Sequence, residues 1–260
     1  MISDNDQKED SAEASLTDAG LQKEAAHHRP SPGLHLVATP IGNMRDITQR
    51  AVDVLGGVDV VACEDTRHSG MLLKYHQVSA RLLSLNEHNE ALRIPQLVEM
   101  MRTGSSVALV SDAGMPTISD PGQRLVAAVV TAGLHVESVP GPSAVLTALA
   151  ASGLPTTPFY FGGFLPHKKG ARTTELNAAI GRDCTSVYFE SPYRLLDTLA
   201  ILDSLDAMRR VVVARELTKK FEEFRRGTAS ILLEHFKTKA PKGEITLLIA
   251  PSMPPKWLTW

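Results

Sequence analysis

Ser106-Val107-Ala108-Leu109-Val110-Ser111-Asp112-Ala113-Gly114-Met115-Pro116-Thr117-Ile118-Ser119-Asp120-Pro121-Gly122 reads as a strand that opens into a long turn. The first five residues are an apolar run of strand length. Asp120-Pro121 predicts a helix start, with Asp as the N-cap and Pro at the first helical position. Leu125, Val126, Val129 and Val130 then recur at helical spacing, and Gly133 is placed to end the helix. Open α/β sheets bind ligands at turns of this kind, between a buried strand and a helix. Taken alone, Gly and Pro serve simply to make the turn. Two further loops of the same kind shift the reading toward a ligand site.

Working outward, residues 34–38 predict a strand entering Thr39-Pro40-Ile41-Gly42-Asn43, and Asp46 or Thr48 then caps a helix closed by Gly56-Gly57. Residues 58–63 predict the next strand, ending in Glu64-Asp65-Thr66-Arg67, and a helix with Met71, Leu72 and Tyr75 follows. A short strand at 82–85 leads into Asn86-Glu87-His88-Asn89-Glu90 and a helix to about Thr103. Downstream of the central turn, strand 135–139 runs into Pro140-Gly141-Pro142-Ser143, where Ser143 caps an Ala/Leu-rich helix. Strands alternating with helices imply βα units and a mostly parallel sheet, whose loops gather on one edge. Leu154-Pro155-Thr156-Thr157-Pro158 reads as a linker. Beyond it strands are expected at 159–164, 185–189, 210–215 and 243–250, with helices between them, one capped by Thr228. The resulting division is an acidic disordered tail over 1–33, an α/β domain over 34–153 with Gly-rich loops, a second α/β domain over 154–250 and an irregular end over 251–260.

Of 260 residues, 29 are acidic and 27 basic; residues 1–33 hold seven acidic and three basic groups, which leaves the remainder with 22 and 24. Bulk charge is compatible with an anionic partner and does not identify one. Cys63 and Cys184 form neither a metal spacing nor a disulfide framework and are expected to be small buried hydrophobes. No apolar stretch resembles a signal peptide or a membrane span, so a cytoplasmic protein is expected. No G-x-G-x-x-G follows the first strand, and G-x-x-x-x-G-K-S/T, H-E-x-x-H and G-x-S-x-G are all absent from the sequence. Dinucleotide, P-loop, zinc-hydrolase and serine-hydrolase chemistry are therefore disfavoured, and no metal site is expected.

Three loops, 39–43, 111–122 and 140–143, have the small and polar residues that let backbone approach a nucleotide-like ligand. Glu64-Asp65-Thr66-Arg67 reads either as a surface helix entry or as a carboxylate–arginine cluster facing a cleft. Glu87-His88 reads either as a solvated loop or as a group acting in catalysis or RNA contact. His167-Lys168-Lys169-Gly170-Ala171-Arg172 and Lys219-Lys220 read as solvated faces or phosphate grips. Phe159, Tyr160, Phe161 and Phe164 read as core and interface residues in preference to a base-stacking platform. Residue patterns alone thus reach a two-domain α/β enzyme with a cleft and stop short of its reaction.

Eight blocks carry a resemblance: the first loop, Cys63 to Arg67, Ser84 to Glu90, the central turn, Val139 to Ala144, Phe189-Glu190-Ser191-Pro192-Tyr193-Arg194, Arg215-Glu216-Leu217-Thr218-Lys219 and Lys242-Gly243-Glu244. In order and spacing they resemble the ribosomal RNA small subunit methyltransferase I family of the tetrapyrrole methylase superfamily, over residues 34–250. The resemblance implies a two-domain tetrapyrrole-methylase-like α/β fold, each domain a mixed sheet flanked by helices, with S-adenosylmethionine in the cleft between them. It implies a homodimer and methyl transfer to the 2′-hydroxyl of a cytidine in 16S ribosomal RNA, free or in the small ribosomal subunit. Carried over, the cofactor would meet Ile41, Ser111, Asp112, Met115, Ser143, Ala144, Phe189, Leu217 and Thr246, with Asp112 as polar anchor and Met115, Phe189 and Leu217 as apolar walls. A ribose hydroxyl is a weak acid, so a base is expected from Glu64, Asp65, Glu87 and His88, and Arg67 and Lys219 are candidates to hold the acceptor. Similar members continue past the last strand into a small segment; if that segment grips RNA, weaker binding or reliance on a dimer partner is expected here. Two alternatives remain open: a superfamily methylase acting on a tetrapyrrole or other small acceptor, and a non-catalytic ribosome-associated RNA-binding protein.

Overall fold

A computed structural model describes residues 29–256 and 258–260; apart from residues 29–33, the expected acidic tail lies outside them. The first half builds a five-stranded sheet in the order β3-β2-β4-β1-β5. Its elements in chain order are β1 (Gly33–Val37), α1 (Gln49–Gly57), β2 (Val60–Cys63), α2 (Thr66–Tyr75), β3 (Leu82–Ser84), α3 (Glu90–Arg102), β4 (Ser106–Val110), α4 (Gln123–Thr131), β5 (Val136–Val139) and α5 (Ala144–Ser152). Every pairing in this sheet is parallel, because a helix carries the chain back before each new strand. Val61, Ala108 and Val110 pack under Leu55 and Leu73 on one face, while Leu109 and Val107 pack under Leu97, Met101, Leu125 and Val129 on the other. That two-sided burial is why β2 and β4 are continuous apolar runs.

The second half builds a mixed sheet in the order β6-β7-β10-β8-β9. Here β6 (Phe159–Phe164), α6 (Lys169–Gly181), β7 (Thr185–Glu190), α7 (Leu195–Asp206) and β8 (Arg210–Arg215) precede β9 (Glu223–Thr228), α8 (Ala229–Thr238) and β10 (Ile245–Ile249). Only β6 and β7 run parallel; β10 lies antiparallel to both β7 and β8. The α/β architecture of two helix-flanked sheets expected from the sequence is present. The sequence reading missed β9, since Glu-Phe-Arg-Arg-Gly-Thr has no apolar alternation and gains its pairing only at the sheet edge, against β8.

The expected helix start at Asp120-Pro121 is corrected. Helix α4 begins at Gln123, behind Gly122 with φ +114°. Thr117 and Ser119 also take positive φ, so the chain is still turning at Asp120 and leaves its carboxyl available to the loop. Thr48, Ser143 and Thr228 do cap α1, α5 and α8, accepting from Ala51, Leu146 and Ile231 backbone N–H groups. The face of α2 that packs inward is Ser69, Leu72 and Leu73; Met71 and Tyr75 face solvent. Helix α5 is reached from the first sheet but packs on the second: Val145, Ala148 and Leu149 join Val187, Val212 and Leu248 in one apolar cluster.

Candidate active site

The parallel strands end on one edge, and their loops meet the second sheet around a cavity of about 460 Å³. Thr39 and Gly114 exchange backbone hydrogen bonds of 2.9 and 3.1 Å, and Thr39 Oγ1 donates to the Ser111 carbonyl at 3.0 Å. These stitch the loop after β1 to the loop after β4. Gly114, at φ +82°, lets the two pass closely: a Cβ there would lie 3.3 Å from Ile41 Cγ2. Ile41, Asp112 and Met115 line the cavity from these loops, and Ser143 and Ala144 from the N-terminus of α5. Phe189 lies on β7 one residue before its end, Leu217 follows β8 and Thr246 sits on β10; all three close the opposite wall. Of the nine residues named for the cofactor, eight line this cavity. Ser111 is buried just behind it, with Oγ donating to the Gly114 carbonyl at 3.2 Å.

A second, more open cavity adjoins the first. It is lined by Glu64, Asp65, Thr66 and Arg67 at the start of α2, by Ser84 at the end of β3 and Asn86 and His88 after it, and by Asp112. Glu64 and Asp112 belong to both linings, so they stand at the junction. Asp65 caps α2 by accepting from Arg67 N–H at 2.8 Å, and its other oxygen takes Arg67 Nη2 at 2.8 Å. Those bonds, led by the Arg67 side chain, hold the Asp65 carboxyl down to about 2. Asp65 thereby orients the exposed Arg67 guanidinium. Glu87 lines neither cavity, although its charge reaches Glu64. Lys219 does not join Arg67. It is bound to Glu216 at 2.9 Å and Glu244 at 2.8 Å on the second-sheet side, where its stem lies against Gly42.

Electrostatics separate the remaining carboxylates. Burial pushes the Glu64 carboxyl up, and the charges of Asp112, Glu87 and Asp65 push it further. Burial raises Asp120 to about 6, helped by Glu64 and Asp112 and opposed by a hydrogen bond from Ser111. Asp120 lines the first cavity and was missed because Asp-Pro reads as a helix cap. Glu190 was missed as well. It is buried, lines the same cavity, and holds Arg194 at 2.7 Å, Thr198 Oγ1 at 2.6 Å and Ser191 N–H at 2.7 Å. A Glu closing a buried strand four residues before an Arg was the available signal. Asp112 Oδ1 is buried without a partner among the described residues, as expected for a group that completes its hydrogen bonding with a ligand. A donor-bearing ligand with an apolar part fits the Ile41, Met115, Phe189 and Leu217 walls beside the unsatisfied Asp112 oxygen.

Two helix-flanked α/β sheets thus close on one acid-lined cavity at their loop ends. Residues 33–232 match the family model described as Tetrapyrrole (Corrin/Porphyrin) Methylases. The fold is similar to uroporphyrin-III-C-methyltransferase from Thermus thermophilus, with TM-score 0.58 and 23% identity over 84% of this chain and 94% of that one. Among curated relatives, "Ribosomal RNA small subunit methyltransferase I" of Mesorhizobium japonicum is 48% identical over 85% of this chain and 76% of its own length. The protein of the same name from Vibrio cholerae is 47% identical over 84% of this chain and 77% of its own length. The chain belongs to the tetrapyrrole methylase family and, within it, to the ribosomal RNA small subunit methyltransferase I group.

Proposed function

We propose that this chain transfers a methyl group from S-adenosylmethionine to the ribose 2′-hydroxyl of a cytidine in 16S ribosomal RNA, as a homodimer in the cytoplasm. The observation that carries the reading is the shared wall: Glu64 and Asp112 line both the first cavity and the more open polar one. A donor in the first and a ribose in the second would meet at those carboxylates. Bound in the first cavity, S-adenosylmethionine supplies an electrophilic methyl carbon on a sulfonium. Asp112 anchors a donor group through its unpartnered oxygen; Ile41, Met115, Phe189 and Leu217 exclude water; Ser111 fixes the loop that carries Asp112. Holding donor and acceptor in line supplies much of the acceleration in reactions of this kind.

Glu64 is the base in this scheme. Its raised carboxyl makes it a better proton acceptor than Asp65, and it sits at the junction that the hydroxyl must reach. Arg67, held out by Asp65, and His88 on the facing loop would grip the RNA around the reacting ribose. Single-turnover methylation of small-subunit RNA with Glu64→Gln tests the base. The expected loss is about 100-fold or more in rate, the general acid–base range, with donor binding retained. An unchanged rate removes Glu64 from the mechanism. The acceptor is tested separately, by nucleoside analysis of 16S RNA from deletion and complemented cells. One 2′-O-methylcytidine should be lost and restored, and an unchanged pattern rejects the RNA assignment.

A further inference from the structure

The first cavity is acidic and carries no cation of its own. Among the described residues that line it there are Glu64, Asp112, Asp120, Glu190 and Glu244, and no Lys, Arg or His. Two of these are neutralised from the second sheet, Glu190 by Arg194 at 2.7 Å and Glu244 by Lys219 at 2.8 Å. The other three have no such partner among the described residues: the charges acting on Glu64 and Asp120 are all carboxylates, and one oxygen of Asp112 is buried without a hydrogen bond. Unpaired carboxylates in a half-buried cleft are costly unless a positive ligand meets them. Glu64 and Asp112 also mark the passage to the second cavity. If a methyl group crosses there, the sulfur that carries it stands one bond behind.

We propose that Asp120, with Glu64 and Asp112, makes the cavity select the cationic methyl donor over its neutral thioether product, so that the transfer itself loosens the spent cofactor. The inference rests on the methyl-donor reading above. Donor and product share the adenosine, the ammonium and the carboxylate, and differ by one methyl and the charge on sulfur. In the transfer the C–S bond breaks with both electrons kept by sulfur, and a C–O bond forms. The hydroxyl proton passes to Glu64. The cavity therefore exchanges a fixed positive charge for a proton on a carboxylate, and the face formed by Asp120 and Asp112 loses its counterion.

Other charged and titratable groups stand around this face. Glu64 has Glu87 and Asp65 beside it, and Asp65 is paired with Arg67. His88 lines the outer cavity, and the Cys63 thiol next to Glu64 in sequence is pushed up by burial. Asp120 lines the first cavity, and the charges of Glu64 and Asp112 add to the effect of its burial. Its carboxyl, raised to about 6, has to release a proton to meet a cation in mildly acid solution.

Calorimetric titration of the purified full chain with S-adenosylmethionine and with S-adenosylhomocysteine, at about pH 7 and about pH 5, tests this. Donor affinity is expected to fall about tenfold at the lower pH relative to product affinity. Asp120→Asn is expected to flatten the donor's pH profile, and Asp120→Glu to keep it. The same pH response for both ligands in the unaltered chain, or a donor profile that Asp120→Asn leaves intact, overturns the inference while the methyl-donor reading stands. If neither ligand binds at either pH, the methyl-donor reading fails and takes this inference with it.

Discussion

Gly42 has no room for a side chain: a Cβ there would lie 2.5 Å from Lys219 Cγ and 2.8 Å from both the Leu217 carbonyl and Thr218 Oγ1. The loop that bears Ile41 is thereby pressed against the turn that bears Leu217, and Asn43 N–H donates to Thr218 Oγ1 at 3.0 Å. Gly42→Ala should push these turns apart, weakening S-adenosylmethionine binding about tenfold or more while leaving far-UV circular dichroism unchanged; equal affinity would show that the two turns do not act together. Asp120 makes a prediction about stability. Its carboxyl rises from the ordinary 3.8 to about 6 on folding, so the folded chain holds more protons than the unfolded one between those values. Its contribution is fully present below 3.8 and lost as pH rises through about 6. Asp120→Asn should therefore stabilise the ligand-free protein at neutral pH, on the order of 1–2 kcal/mol after allowing for partial exposure. Denaturant melts at about pH 4 and pH 7 read this directly, and a gain at pH 4 matching that at pH 7 would contradict it. The roles of Asp65 and Lys219 were not legible at this scale. An isolated carboxylate or ammonium looks the same in sequence whether it is unpaired or held by Arg67 or Glu244.

Elements with a regular pattern were legible, and those shaped by their surroundings were not. Strands β2, β4, β7 and β8 show as apolar runs because both sides of each are covered. Strand β9 does not, because the edge-strand sequence Glu-Phe-Arg-Arg-Gly-Thr has no apolar alternation to reveal it. The central turn escaped in its last third: positive φ at Thr117 and Ser119 arises from the fit between loop and sheet, which no local propensity encodes. The turn from β7 into α7 offers a test at this scale. Glu190 is buried and ties Ser191, Arg194 and Thr198 to the end of the strand, fixing the segment whose Ser191 and Pro192 line the cavity. Removing one partner of such a pair strands the other charge, so Glu190→Ala should cost on the order of 3 kcal/mol in chemical denaturation. Arg194→Ala should cost a comparable amount, and the double variant clearly less than the two together. Additive costs would mean that Glu190 and Arg194 act independently.

At the scale of the whole molecule, the two sheets are coupled through α5 and the turns on either side of the cavity. Val145, Ala148 and Leu149 belong by chain order with the first sheet, yet their cluster includes Val187, Val212 and Leu248 of the second, together with Ile41 from the first loop and Leu217 from the second half. Arg226 on β9 reaches back to the Ala151 and Ser152 carbonyls at 2.5 and 2.8 Å, tying the far edge of the second sheet to the end of the same helix. The N-terminus of α5 meanwhile supplies Ser143 and Ala144 to the cavity. A helix that is at once a crossover, a piece of the second core and a wall of the cavity leaves neither sheet able to unfold without exposing the other. Equilibrium unfolding should therefore show one transition by both tryptophan fluorescence and far-UV circular dichroism, despite two separate sheets. Leu149→Ala should lower that transition as a unit by about 2–5 kcal/mol, the cost of a buried leucine cavity. S-adenosylmethionine at about 100 times its dissociation constant should raise it by about 2.7 kcal/mol. If denaturation instead resolves into two steps and the ligand shifts only one, α5 is not the coupling element, and the cavity depends on one sheet rather than on the contact between them.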